Sequence, residues 1–144
     1  MKQRFYLSLL FVGLILSARA QDWQTDYNKA KEMALIENRK LILVFQGSDW
    51  CTPCMKLDKQ IWSNAEFIRY AKDHYVMLLA DFPKRKGNEL SKEQKAKNNA
   101  LAEKYNKNGF FPLVVIMNSE GKVIGQTGYK NMTVDEYIDH LNAF

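Results

Sequence analysis

The sequence predicts an α/β domain with a central mixed β-sheet flanked by helices on both faces. Three observations predict it. Residues 41–45, 76–80 and 113–117 are continuous apolar runs, the pattern of strands buried on both faces. Segments with helical apolar spacing lie between them, so the chain alternates strand and helix, as a parallel sheet requires. After the third run, Asn118-Ser119-Glu120-Gly121 is turn chemistry, and residues 122–127 can return as a hairpin partner. That hairpin adds an antiparallel edge.

The first 20 residues stand outside this domain. Lys2 and Arg4 precede a 12-residue stretch, 5–16, broken only by Ser8 and Gly13. Ser17-Ala18-Arg19-Ala20 then supplies small residues where a signal peptidase needs them. A membrane span wants about 20 apolar residues, so the pattern predicts a cleaved signal peptide over 1–20 and one domain over 21–144. Residue 21 is Gln, which excludes a lipid-modified cysteine at the cut.

The domain reads as follows. Trp23, Tyr27, Ala30 and Ala34 share a helix face, predicting a helix over 22–38. The strand 41–45 leads through Gly47-Ser48-Asp49 to Pro53, a residue tolerated in a first helical turn. Cys54, Leu57 and Ile61 then share a helix face. Ser63-Asn64-Ala65-Glu66 resembles a capping box restarting a helix to about Asp73. Strand 76–80 follows, then a polar loop broken by Pro83 and Gly87. Ser91 can cap a helix running to about Tyr105. After the hairpin, Thr133-Val134-Asp135-Glu136 opens a last helix with Val134, Ile138 and Leu141 inward. No internal repeat and no second domain is visible.

Charge narrows the function classes. The whole chain carries +5. Lys2, Arg4 and Arg19 leave with the signal, so 18 basic and 16 acidic residues remain, or +2. A nucleic-acid role loses its main support. The segment 84–107 holds eight basic residues against Glu89, Glu93 and Glu103. Its bland reading is a solvated helix face with an inserted loop; its sharper one is a docking surface for an acidic partner.

The chemistry concentrates at Trp50-Cys51-Thr52-Pro53-Cys54, between a buried strand and a helix. These are the chain's two cysteines. A bridge across three positions constrains little of the unfolded chain, which argues against a structural staple. Zinc needs four ligands, and neither His74 nor His140 has ligand spacing, so no metal and no other cofactor is expected. Thiol–disulfide exchange needs an attacking thiolate and a second thiol that resolves the mixed disulfide. Cys51, at a helix N-terminus that favours the thiolate, is expected to be the attacking group and to be exposed. Cys54, one turn in on the apolar face, is the buried resolving thiol.

Asp49-Trp50-Cys51-Thr52-Pro53-Cys54 after a strand, with Gly109-Phe110-Phe111-Pro112 before another, resembles the thioredoxin-like family. The stretch 45–50 with Lys56-Leu57-Asp58 is especially similar to small exported bacterial members. The resemblance implies a thioredoxin-like fold and catalysis by Cys51 and Cys54. It implies a cis Pro112, with Phe111 offering its backbone to an extended substrate strand. Trp50, Thr52 and Pro53 complete the implied substrate contacts, with Phe110 and Tyr129 as further candidates for lining the groove. For Phe110, core filling is an equal alternative. Two departures stand out. The family's buried Asp before the motif is Phe45 here, and its partner Lys falls near Met77. The Gly and Thr around the cis proline are Phe110 and Leu113, which predicts a more apolar groove.

The expected function is reduction of protein disulfides outside the cytoplasm, in the bacterial periplasm or secreted. Pro before the second cysteine resembles the reductases of the family more than its strong oxidants. Disulfide-containing exported proteins are the expected substrates, a membrane-bound thiol the electron donor, and a monomer the working unit. An oxidase or isomerase on the same fold, and a non-catalytic binding module using the apolar groove, are the alternatives.

Overall fold

The computed structural model describes residues 20–144. The expected signal segment therefore lies, apart from Ala20, outside the described residues. The chain runs β1 (Trp23–Gln24), α1 (Tyr27–Glu37), β2 (Lys40–Gln46), α2 (Thr52–Leu57), α3 (Ala65–His74), β3 (Tyr75–Asp81), α4 (Lys92–Tyr105), β4 (Leu113–Met117), β5 (Val123–Thr127) and α5 (Val134–Asn142). A π-helical turn, Asp58–Trp62, prolongs α2, and a 3-10 turn, Lys86–Asn88, lies between β3 and α4. One five-stranded sheet forms in the order β1-β3-β2-β4-β5. The β1–β3 and β2–β3 pairs are parallel, and β2–β4 and β4–β5 antiparallel. This is the predicted mixed sheet.

Strand alternation assigns each side chain to a layer. Leu41, Leu43 and Phe45 of β2 join Val76, Leu78 and Ala80 of β3 under α1 and α4. Ile42, Val44 and Met77 point the other way, onto Leu57, Trp62, Phe67 and Tyr137 beneath α2, α3 and α5. Helices cover both faces because every central strand is apolar on both.

Three expectations need correction. Trp23 is not helical: it pairs with Met77 in β1 and packs edge-on to Trp62, 6.0 Å between ring centres. Asp26 accepts the Lys29 N–H and starts α1 at Tyr27. The cap of α3 is Asn64, which accepts the Glu66 N–H at 2.9 Å, rather than Ser63, whose hydroxyl turns back to Asp58. Ser91 and Thr133 cap α4 and α5 as predicted, the latter in a full capping box with Glu136. Finally, the β3 residue beside Phe45 is Ala80, not Met77. Met77 belongs to the opposite layer, because a strand position three residues away faces the other side of the sheet.

Candidate active site

Three segments meet at one edge of the sheet. The loop 47–51 leaves the C-terminal end of β2, and the loop 82–91 leaves that of β3. Residues 109–112 enter β4, where Leu113 pairs with Phe45. Loops at the carboxyl ends of parallel strands are where open α/β sheets place their sites.

Cys51 and Cys54 are joined by a disulfide with Cα atoms 5.2 Å apart. Cys51 is the N-cap of α2, and its Sγ accepts the backbone N–H of Cys54 at 3.3 Å. Pro53 lies in the first turn, where its missing N–H costs no helical hydrogen bond. An N–H directed at sulfur at a helix start favours a thiolate there once the bond is reduced. The expected exposure of Cys51 is not met: 4% of its surface is accessible, against 2% for Cys54. Both cysteines are thus buried in the bonded state. Thr52 and Pro53 are both exposed on the same turn.

Trp50 is gripped on several sides. Its Nε1–H donates to the Phe82 carbonyl at 2.7 Å. The indole lies against the backbone of Gly47, where a Cβ would fall 2.2 Å from the ring. Phe111 meets it edge-on at 5.3 Å, and Lys84 Nζ stands 4.0 Å from its ring centre. Phe82 in turn packs between Phe111, at 5.5 Å, and the buried Phe45, at 6.4 Å. Phe45 thus occupies the buried-acid position of the family as the base of an aromatic column. Among the described residues, Asn98 and Asn106 are the buried polar side chains, so no fully buried carboxylate stands behind Cys54.

The loop after β3 is fastened by acids. Asp49 accepts the Lys84 and Arg85 N–H groups at 2.9 Å each and the Asn88 amide at 3.0 Å. These donors, the Lys84 N–H foremost, hold its carboxyl down to about 2. Asp81 accepts the Phe82 N–H at 3.0 Å, and the Ser48 N–H and hydroxyl at 2.9 and 2.6 Å, tying the 47–51 loop to the end of β3.

On the far flank, the Phe111–Pro112 bond is cis, as the resemblance implied. Asn106 holds the approach to it: its Oδ1 accepts the Phe110 N–H and its Nδ2 donates to the Phe110 carbonyl, both at 2.9 Å. Gly109 takes φ +66°, a region open to glycine without strain. Phe110 is 59% exposed, so core filling is excluded for it. Tyr129 is half-buried against the α2 layer, its hydroxyl on Gln60.

The roles of Asp49, Asn106 and Phe82 escaped sequence reasoning. An acid directly before the cysteine motif was a usable signal for Asp49. Asn106 and Phe82 carry no local mark of their role. Of the two histidines, His74 stacks on Tyr70 and His140 Nε2 shares a 2.8 Å hydrogen bond with the Thr127 hydroxyl. Among the described residues no group of three His, Cys, Asp or Glu converges as for a metal ion. Nor is any helix there long and apolar enough to cross a membrane.

Known proteins share this arrangement. A family described as thioredoxin-like matches residues 22–119. A disulfide bond reductase of Chlamydia pneumoniae, DsbH, is 34% identical over 115 residues, covering 80% of this chain and 67% of the relative. A solved DsbH oxidoreductase superposes with a TM-score of 0.79 at 31% identity, over 90% of this chain and 87% of the other. A Thermus thermophilus thioredoxin gives 0.62 at 14% identity, over 87% of each chain, which speaks for the fold alone. With the cysteine pair on its helix start and the cis proline at the head of β4, the chain belongs to the thioredoxin-like family, as a thiol–disulfide oxidoreductase homologous to a disulfide bond reductase.

Proposed function

We propose that this protein reduces disulfides of exported proteins outside the cytoplasm, in the periplasm or beyond it. The observation that carries the reading is the Cys51–Cys54 pair, with Cys51 Sγ receiving an N–H at the start of α2. The reductase relative and the Pro before Cys54 favour the direction. The signal-like segment 1–20 supports the location.

In the reduced protein, Cys51 thiolate attacks one sulfur of the substrate disulfide. A mixed disulfide forms, and the other substrate sulfur departs as a thiolate that takes up a proton. Cys54, losing its proton, attacks Cys51 Sγ; the Cys51–Cys54 bond forms and the second substrate thiol leaves. Two electrons pass to the substrate, and the protein ends in the disulfide state. A dithiol donor, membrane-bound in this reading, restores Cys51 and Cys54 by the same exchange. Trp50, Thr52, Pro53, Phe111 and Pro112 flank the attacking sulfur as the substrate-binding surface, with the Phe111 backbone pairing to an extended substrate strand. One copy of the chain suffices for every step.

Two measurements test this. Cys51→Ser abolishes insulin reduction; retained activity overturns the mechanism. The reduction potential of the pair falls near about −270 mV for a reductase, whereas about −120 mV marks an oxidant.

A further inference from the structure

We propose that Lys84, fixed beside Trp50 by the Asp49 clamp, makes this reductase prefer disulfide-bearing polypeptides with a carboxylate side chain close to the reacting cysteine. The inference rests on the reductase reading above and names its substrate class.

The argument begins with the backbone. The Lys84 N–H is bound by Asp49, two residues before Cys51. Asp49 is fully engaged by backbone and Asn88 donors, so its charge organises the loop and leaves the Lys84 ammonium free of it. The ammonium lies over the indole of Trp50, 4.0 Å from its centre. Cation–π contact holds a lysine head at a ring face while leaving its other donors open. Lys84 is therefore anchored at both ends, its ammonium on Trp50, the residue next to Cys51.

No carboxylate pairs with that ammonium among the described residues. Among the described residues, none of Lys84, Arg85 and Lys86 stands in an ion pair. Farther along the same basic segment, Lys95 is paired with Glu89, and Lys97 with Asp26 and Glu93. Lys92, Lys104 and Lys107 are also without an ion pair among the described residues, but Lys84 is the cation held against Trp50. A substrate strand docked along Phe111 to reach Cys51 passes Trp50, and a carboxylate on it meets Lys84. A cationic substrate meets repulsion at the same point.

The test uses two synthetic disulfide-bonded peptides differing only in Glu or Lys two positions from the cysteine. The second-order rate constant of the pre-reduced protein is measured with each. At low ionic strength the Glu peptide is expected to react about fivefold faster, the scale of one exposed ion pair. The preference shrinks in 0.5 M salt, where the screening length is a few ångströms. Lys84→Glu inverts the ratio, and Asp49→Ala narrows it by releasing the loop. Because the readout is a ratio within one protein, altered folding or thiol reactivity cancels. Equal rates for the two peptides in the parent protein, or an unchanged ratio in Lys84→Glu, overturn the inference and leave the reductase reading standing. If the reduced protein reacts with neither peptide, that reading fails and the inference with it.

Discussion

The two flanks of the cysteine pair are built from opposite materials. The flank at 82–88 is fastened by carboxylates, Asp49 and Asp81, that gather backbone N–H groups and present lysines and arginine outward. The flank at 106–112 is fastened by one neutral, buried side chain, Asn106, and presents the bare ring of Phe110. A carboxylate clamp tolerates exposure, because its charge is solvated and its partners are strong donors. An amide clamp works only when water is kept away from its two bonds. One flank is therefore suited to steering a charged chain, the other to gripping an apolar one.

The largest expected effect removes what the flanks share. Phe45 supports Phe82, which touches Phe111 across the divide. Phe45→Ala should cost about 3–5 kcal/mol by opening a cavity in the sheet, read by denaturant unfolding, and should loosen both flanks at once. A loss below about 1 kcal/mol would mean the aromatic column is not a common support. Next, Asn106→Ala strips both bonds from Phe110 and should cost about 2 kcal/mol. Hydrogen exchange should then quicken at Phe110 while the amides of Lys84 and Arg85 keep their protection.

The acid flank is distinguished by pH. The Asp49 carboxyl ionises near about 2 in the folded chain and at its ordinary 3.8 when free of its donors. A folded value below the unfolded one gives stabilisation that is complete above the unfolded value and lost as pH falls through the folded one. The 82–88 loop should release between about pH 4 and pH 2, followed by Trp50 fluorescence, and Asp49→Asn should flatten that transition. The Asn106 flank holds no carboxylate and should not respond in that range. The smallest effect belongs to Phe110→Ala. Its exposure predicts a stability change within about 0.5 kcal/mol, yet peptide reduction should slow several-fold relative to a small neutral disulfide. Equal slowing of both would remove Phe110 from the substrate surface.

How much of this was readable depended on distance along the chain. The three central strands were legible because burial on both faces leaves an uninterrupted apolar run. Ser91 and Thr133 were legible because caps act over three residues. Trp23 misled for a physical reason: it sits four positions before Tyr27, as on a helix, but a two-residue strand is fixed by its partners Met77 and Leu78, which local spacing does not record. The cysteine motif and cis Pro112 were recognisable as a pair. The clamp from Asp49 to residues 84, 85 and 88 spans more than 30 positions and leaves no periodic mark. The exposure expected for Cys51 came from its role as the attacking group, whereas the structure holds the bonded pair with both cysteines buried.

The π-turn at Asp58–Trp62 has a consequence for chain length. It holds one residue more than an α-turn, and Ile61 and Trp62 are both buried at its end. The cysteine end of the helix and the tryptophan end are thus out of phase by one position. Exchanges at the exposed Lys59 or Gln60 leave that phase alone. Loss of a single residue there would restore ordinary winding and leave the two ends in phase, whereas loss of one within Thr52–Leu57 would swing Cys51 about 100° against Trp62. Homologous chains that keep both the core Trp and the cysteine pair can therefore differ in length by one residue at this turn, and nowhere else between the two.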